Sequence, residues 1–133
     1  MKYLLDVSIL VAWGWMTHDH YQIVDRWFAR ELKKESALFL TSSITELGFV
    51  RVSGQRSEGK ITTQEASEML QKMLQKLAPF HRFLADDLPM GHWPTWCKNA
   101  SQTTDAHLLL LAEKHGTQLV TLDRKIPGAL LIA

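Results

Sequence analysis

Four acidic side chains stand where apolar segments of the chain end or where helices begin. Asp6 follows a short apolar segment at the start of the sequence, and Asp123 follows its clearest strand-like segment. Glu46 lies within the first turn of one predicted helix, and Asp105 opens another. If the predicted strands form a parallel sheet, these positions meet at the carboxyl edge of the sheet, which is where such folds bind ligands.

A cluster of carboxylates at one edge favours a bound cation. Two carboxylates about 4 Å apart repel each other by roughly 4 kcal/mol at an effective dielectric constant near 20. The cluster must therefore hold protons or bind positive charge. Oxygen ligands with no histidine or thiol at matching positions select Mg²⁺ or Mn²⁺ over Zn²⁺. We expect a divalent-metal site formed by Asp6, Glu46, Asp105 and Asp123.

Each acid also has a purely structural interpretation, which would be favoured if it stood alone. Ser42 and Ser43 are both possible N-caps of the helix that contains Glu46, and Glu46 is placed to close a capping box with Ser43. Asp105 is placed to complement the dipole of a helix that Thr103 or Thr104 caps. The occurrence of four such acids at corresponding positions is what favours a site over a set of unrelated caps.

Strand-like and helical patterns alternate along the whole chain. The predicted strands cover residues 1–5, 37–41, 80–84, 118–122 and 130–132. The predicted helices cover residues 7–13, 21–34, 43–52, 62–77 and 105–114, with a polar loop at 53–59 and an irregular segment at 86–102. This alternation predicts a three-layer α/β/α sandwich with a central, mainly parallel sheet of four to five strands.

Composition predicts one soluble globular domain over residues 1–133, with 46% hydrophobic residues and a mean hydropathy of −0.11. No apolar run reaches the length of a membrane span and no signal-peptide pattern precedes the first strand, so we expect a cytoplasmic protein. The single cysteine, Cys97, excludes an internal disulfide. The net charge is +1, so gathering four acids at one site leaves a basic remainder that suits an anionic substrate.

Four segments around the acids resemble motifs of PIN-domain ribonucleases, most closely the VapC-type toxins of bacterial toxin–antitoxin pairs. They are LLDVS at 4–8, TELGFVR at 45–51, TDAHL at 104–108 and VTLDR at 120–124. The resemblance extends over essentially the whole chain. The segment after Asp123 departs from the pattern of some relatives, because it offers no further acid. The number of metal ions therefore stays open.

The resemblance implies a metal-dependent endoribonuclease that hydrolyses single-stranded or loop regions of RNA with Mg²⁺ or Mn²⁺. The four acids would then be both catalytic residues and metal ligands, directly or through water. Ser8 and Thr121 carry hydroxyls that would orient the carboxylates from a second layer. A helix-cap role for Ser8 and a strand-filling role for Thr121 are the alternatives.

Basic and aromatic side chains near the same edge are candidate RNA contacts. The candidate phosphate-binding residues are Arg51, Arg56, Arg124 and Lys125. Trp15, Trp93 and Trp96 lie in less regular segments and are candidates for base stacking. The pair His18 and His20 flanks Asp19, but its spacing is not that of a helical metal pair, so we favour a structural role with Asp19 as a helix N-cap.

The resemblance also implies protein partners, namely a second copy of the chain in a homodimer and a small VapB-like antitoxin. The antitoxin tail would lie in an apolar groove and direct a basic residue into the acidic site. We expect the helices at 21–34 and 43–52 to form this groove.

Two functions of other classes compete with the nuclease. One is a non-catalytic PIN-like RNA-binding or scaffold module, in which the acids are structural caps and RNA binding does not depend on Mg²⁺. The other is a phosphoryl-accepting receiver domain. That class is disfavoured, because it clusters two acids early whereas the first strand here supplies Asp6 alone.

Overall fold

The central sheet contains five strands in the order β3-β2-β1-β4-β5, and all its pairings are parallel over residues 1–132, which the computed structural model describes. The strands are β1 (Lys2–Leu5), β2 (Leu38–Thr41), β3 (His81–Phe83), β4 (Gln118–Thr121) and β5 (Leu130–Leu131). The predicted five strands and their parallel arrangement are confirmed. Ala133, the last residue of the predicted domain, lies outside the described residues.

Helices cover both faces of this sheet. They are α1 (Val7–Gly14), α2 (Tyr21–Leu32), α3 (Ser43–Arg56), α4 (Thr63–Leu77) and α5 (Thr103–Lys114), with a 3₁₀ turn at Ala100–Gln102. Among residues 1–132, no helix is both long and apolar enough to cross a membrane.

Alternating side chains of the buried strands separate two hydrophobic cores. Tyr3 and Leu5 of β1 face a core that contains residues of α1, α2, α3 and α4. Leu4 points to the opposite face, where it packs with Leu108 and Leu111 of α5. This period of two is expected for a strand buried on both faces, and it produces the predicted three layers.

The order of the strands reverses at β1. The chain builds β2 and β3 on one side of β1 and then crosses to place β4 on its other side. Leu5 pairs with Val120, so the carboxyl ends of β1 and β4 lie next to each other. A parallel sheet opens a crevice at such a reversal, because the following connections diverge to opposite faces.

The predicted polar loop at 53–59 is wrong for its first half, because α3 continues to Arg56. Ser53 is buried in this helix and accepts a hydrogen bond from the indole N–H of Trp15 at 3.0 Å. The helix ends only where Glu58 and Gly59 adopt φ values of 57° and 76°. A long-range contact thus extends a helix across residues whose local propensity favours a turn.

Two predicted capping interactions are also wrong. The N-cap of α3 is Ser42, one of the two predicted candidates. It forms a capping box with Thr45, so Glu46 is not the capping partner of Ser43. Helix α5 begins at Thr103 after Gln102, without a side-chain cap. The 3₁₀ turn before α5 explains the second difference, because Ala100 O already accepts both the backbone N–H and the hydroxyl of Thr103.

Gly48 allows the close approach of α3 to the beginning of α1. A Cβ atom at Gly48 would lie 2.4 Å from Val7 Cγ2, whereas a Cβ atom at Gly54 of the same helix would meet nothing within 4 Å. We therefore expect Gly48→Ala to lower the free energy of unfolding by about 1–3 kcal/mol. The matched variant Gly54→Ala should be neutral or raise it by about 0.5–1 kcal/mol. Urea denaturation measures both, and equal midpoints for the two variants would contradict the close approach.

Candidate active site

Asp6 is the buried acid of the site, with a relative exposure of 5%. It follows β1 directly and is the N-cap of α1, where its Oδ1 accepts a hydrogen bond from Val7 N at 2.8 Å. Its own backbone N–H donates to Val120 O of β4 at 3.0 Å. The backbone on both sides therefore fixes this carboxylate at the crevice between β1 and β4.

Two hydroxyls hold the second oxygen of Asp6. Ser8 Oγ and Thr121 Oγ1 donate to Asp6 Oδ2 at 2.9 and 2.6 Å. The same hydroxyl oxygens accept the backbone N–H groups of Leu122 and Asp123, at 3.1 and 3.0 Å. A strand-filling role for Thr121 accounts for its burial but not for these bonds. That the two hydroxyls orient a metal ligand stays a prediction.

Asp105 and Asp123 share the electrostatic environment of Asp6. Burial, followed by the charges of Asp6 and Asp123, raises the pKa of Asp105 to about 6. The pKa of Asp6 is also raised. Burial is the largest cause, the hydrogen bonds from Thr121, Ser8 and Val7 oppose it, and the charge of Asp123 adds to it. The structure thus brings three of the four predicted acids together at the β1–β4 crevice.

Glu46 occupies the β2 side of the same edge. Its Oε2 accepts a hydrogen bond from Thr41 Oγ1 at 2.7 Å, and that hydroxyl oxygen lies 2.7 Å from His81 Nε2. Burial lowers the pKa of His81, and the charge of Glu46 opposes this shift. The sequence analysis missed Thr41 and His81. Only the pairing of β2 with β3 reveals their contact, since it places His81 beside Phe39 and Phe83 beside Thr41.

The chemistry of these donors fits a hard divalent cation, although the ligands are not preassembled. Carboxylates that raise one another's pKa gain from a bound positive charge, and oxygen donors suit Mg²⁺ or Mn²⁺. Within residues 1–132, however, no three His, Cys, Asp or Glu side chains are arranged to hold a metal ion as they stand. The assignment of Asp6, Glu46, Asp105 and Asp123 as metal ligands stays a prediction.

The four predicted phosphate contacts are all exposed, and two of them follow Asp123 directly in the sequence. Arg124 and Lys125 follow Asp123, whose Oδ1 accepts the backbone N–H of Lys125 at 2.8 Å. The guanidinium of Arg56 lies 5.7 Å from the centroid of the Trp15 ring. Arg51 projects from α3, further along the helix than Glu46. Their contact with RNA stays a prediction.

A cavity of about 430 Å³ adjoins the acids. Its polar lining comes from Ser8 and Asp123 of the site and from His18 and His20 of the connection between α1 and α2. The N-cap of α2 is His20, without a side-chain cap bond, so the prediction that Asp19 caps this helix is wrong. His18 Nδ1 instead accepts the backbone N–H of His20 at 3.0 Å and closes the local turn.

Comparison with known proteins identifies one family over nearly the whole chain. The sequence model of the PIN domain matches residues 3–129. Ribonuclease VapC39 of Mycobacterium tuberculosis is 35% identical over 127 residues, which cover 92% of this chain and 89% of the relative. Ribonuclease VapC38 of the same species is 37% identical over 123 residues, which cover 90% of this chain and 84% of the relative.

Solved structures share the fold at lower sequence identity. A chain in the crystal structure of VapBC2 from Rickettsia felis bound to a DNA fragment from their promoter superposes with a TM-score of 0.59 at 16% identity. The superposition covers 98% of this chain and 97% of the chain in the VapBC2 structure. PAE2754 from Pyrobaculum aerophilum superposes with a TM-score of 0.53 at 24% identity, covering 99% and 84%. These two similarities support the three-layer fold.

The raised pKa of Asp105 makes its charge a cost to folding at neutral pH. Its ordinary pKa is 3.8 and its folded-state pKa is about 6. The loss of folding stability is therefore absent below about pH 4, grows between pH 4 and pH 6, and is complete above about pH 6. In EDTA, Asp105→Asn should therefore raise the Tm near pH 7.5 and leave it unchanged near pH 4. The gain should be modest, because Asp105 is only partly buried and solvent screens its charge.

Thermal denaturation at both pH values checks this expectation. The matched control is Glu113→Gln, which removes an exposed charge from the other end of α5. This control should change the Tm little at either pH. A gain for Asp105→Asn that is equal at both pH values would contradict the electrostatic origin of the cost.

Proposed function

The chain belongs to the PIN-domain family, and on this premise we propose that it is a metal-dependent endoribonuclease acting as the toxin of a VapBC-like toxin–antitoxin pair. The family resemblance inferred from the four sequence motifs is confirmed by the match over residues 3–129. The observation that carries the functional proposal is the electrostatic coupling of Asp6, Asp105 and Asp123 at the crevice between β1 and β4.

The relatives support RNA as the substrate. Two proteins named ribonucleases share 35% and 37% of their aligned residues with this chain over about nine tenths of its length. Hydrolysis of RNA by this chain is inferred from that similarity together with the acids.

Asp6 is the proposed anchor of the metal site, because hydrogen bonds leave only part of its carboxylate available. Oδ2 accepts both the Ser8 and the Thr121 hydroxyl, and Oδ1 accepts the N–H of Val7. Each carboxylate oxygen has two lone pairs, so the one left is on Oδ1. We assign this lone pair to the metal, with Asp105 and Asp123 as further ligands. Glu46 would join directly or through water.

A bound Mg²⁺ or Mn²⁺ would supply positive charge that polarises the scissile phosphate and lowers the pKa of an attacking water. The protein needs no side-chain nucleophile for this reaction. Its own contribution is to hold the carboxylates in place and to attract the RNA backbone. The exposed cations Arg56, Arg124 and Lys125 are the proposed backbone contacts.

One observation favours the second candidate function, a non-catalytic PIN-like RNA-binding or scaffold module. Among residues 1–132, no three acidic side chains are arranged to hold a metal ion in the unliganded protein. In such a module, Asp6 would act only as the N-cap of α1. The two functions differ in whether RNA is cut and in whether a metal matters.

An antitoxin is the proposed protein partner of the acidic crevice. A basic side chain entering the crevice would form charge-assisted hydrogen bonds with the aspartates. Leu47 follows Glu46 on α3 and is 68% exposed, so it offers an exposed apolar side chain on this helix. We place the antitoxin along α2 and α3, and we include the homodimer implied by the family in this proposal.

Cleavage of a mixed pool of structured RNAs tests the nuclease. The wild type should cut with Mg²⁺ or Mn²⁺ and stop in EDTA, because the carboxylates need a cation to engage the phosphate. Asp6→Asn and Asp105→Asn should each lower the rate by roughly a hundredfold or more, which corresponds to about 3 kcal/mol of lost electrostatic stabilisation. Glu113→Gln should cut like the wild type.

The outcome separates the two candidate functions. RNA that binds equally well in Mg²⁺ and EDTA, and that folded wild-type protein leaves uncut with either metal, would favour the non-catalytic module. Cutting that survives Asp6→Asn would remove Asp6 from the proposed ligand set.

Co-purification with the cognate antitoxin tests the partner surface. Leu47→Asp should weaken the complex by roughly tenfold or more, because it buries a charge in an apolar contact. Met90→Asp is the matched control, since Met90 is 64% exposed but lies in the segment between β3 and α5. Equal recovery of the antitoxin with both variants would place the partner elsewhere. Analytical ultracentrifugation of the toxin alone tests the homodimer.

A further inference from the structure

The cavity beside the acids is continuous with the active site. Ser8 and Asp123 line it on one side, and Ser8 is the residue that donates to Asp6 Oδ2. Its volume of about 430 Å³ lies within the range of small-molecule sites. Whatever occupies this cavity is therefore in contact with the residues that surround the scissile phosphate in the proposed nuclease.

Most of the cavity wall is apolar. Val7 and Val11 come from one face of α1, Val52 comes from α3, and Leu122 follows β4. Val7, Val52 and Leu122 are only half-buried, so their side chains stay open to a ligand. Such a wall favours a flat, partly apolar group over a phosphate or a sugar.

The two imidazoles add polar groups and aromatic faces to this wall. The His18 and His20 rings lie 5.7 Å apart between centroids, with an interplanar angle of 45°. Because His18 Nδ1 accepts the N–H of His20, a neutral His18 carries its ring proton on Nε2. Burial, and then the charges of Arg56 and His20, lower the pKa of His18 and favour this neutral form. His18 thus offers a hydrogen-bond donor and a ring face.

A nucleobase combines the properties that this cavity selects. It is flat and largely apolar on its faces, it carries acceptors on its edge, and in RNA it is attached to a phosphodiester. Unpaired bases are bound in proteins by aromatic stacking and by hydrogen bonds to their edges. The negative charge of Asp123, which lines the cavity, disfavours a phosphate inside it.

We propose that this cavity binds one unpaired nucleobase next to the scissile phosphate, with His18 and His20 as its ring contacts. The inference rests on the proposed nuclease, whose substrate it narrows to RNA with an unstacked base at the cleavage site. Arg56, whose charge acts on His18, is the proposed contact for the phosphate on the outer side of that base. The histidines determine the preference for a base, whereas the aspartates hold the metal ion that acts on the phosphate.

Binding in EDTA tests this proposal without any cleavage. The probes are a short single-stranded RNA and an abasic chain of the same length and charge, measured by fluorescence anisotropy. The wild type should bind the RNA roughly five- to a hundredfold more tightly than the abasic chain, the range expected for stacking of a base. The double variant His18→Ala/His20→Ala should lose this difference. The matched control His92→Ala, an exposed histidine away from the cavity, should keep it.

A second measurement does not depend on a variant. On addition of nucleoside monophosphates, the imidazole proton resonances of His18 and His20 should shift, while those of His92 and His115 stay in place. Equal binding of the base-containing and abasic chains by the wild type would overturn the proposal. A preference for bases that persists in the folded double variant would also overturn it.

The test separates this inference from the proposed nuclease. If the wild type cuts RNA with Mg²⁺ but its base preference does not depend on the two histidines, only the proposal for the cavity fails. The cavity would then be a candidate site for a side chain of a protein partner. If no RNA is cut but the histidine-dependent preference is present, the base-binding cavity stands and the nuclease fails.

Discussion

Repulsion among carboxylates around a buried Asp6 is the constraint on which this structure depends. The backbone of β4, the hydroxyls of Ser8 and Thr121 and the first turn of α1 hold Asp6 in place. Asp105 and Asp123 then lie near a carboxylate whose orientation is fixed by these hydrogen bonds. Burial, and then the charges of Asp6 and Asp123, raise the pKa of Asp105 to about 6, and a bound cation would relieve the part that is due to repulsion. A site that costs stability when empty binds its ion more strongly, because binding removes the repulsion.

The parallel sheet explains why the acids meet. Each strand delivers its last residue to the same edge, and the reversal of strand order at β1 leaves a crevice between β1 and β4. Helices then begin at this edge, so Asp6 and Asp105 lie at helix N-termini, where the helix dipole favours negative charge. The close approach of α3 at Gly48 fixes the start of α1, and with it the position of Asp6.

Sequence patterns predicted the features that are local, and missed those that depend on contacts between distant residues. Short, mostly apolar segments identified all five strands, and the signal is strongest for β1, β2 and β4, which are buried on both faces. The extension of α3 was missed because it depends on the hydrogen bond between Trp15 and Ser53, which are 38 residues apart. The link from Glu46 through Thr41 to His81 required the pairing of β2 with β3. Likewise, nothing in the local sequence placed His18 beside the acids.

The most direct test of the central claim is a ¹³C NMR titration of the Asp105 carboxyl carbon with and without Mg²⁺. If the three aspartates share one cation site, the midpoint should lie at about 6 in EDTA and fall towards or below the ordinary value of 3.8 when Mg²⁺ is added. A midpoint near 3.8 in EDTA that Mg²⁺ does not move would contradict both the electrostatic coupling and the proposed metal site.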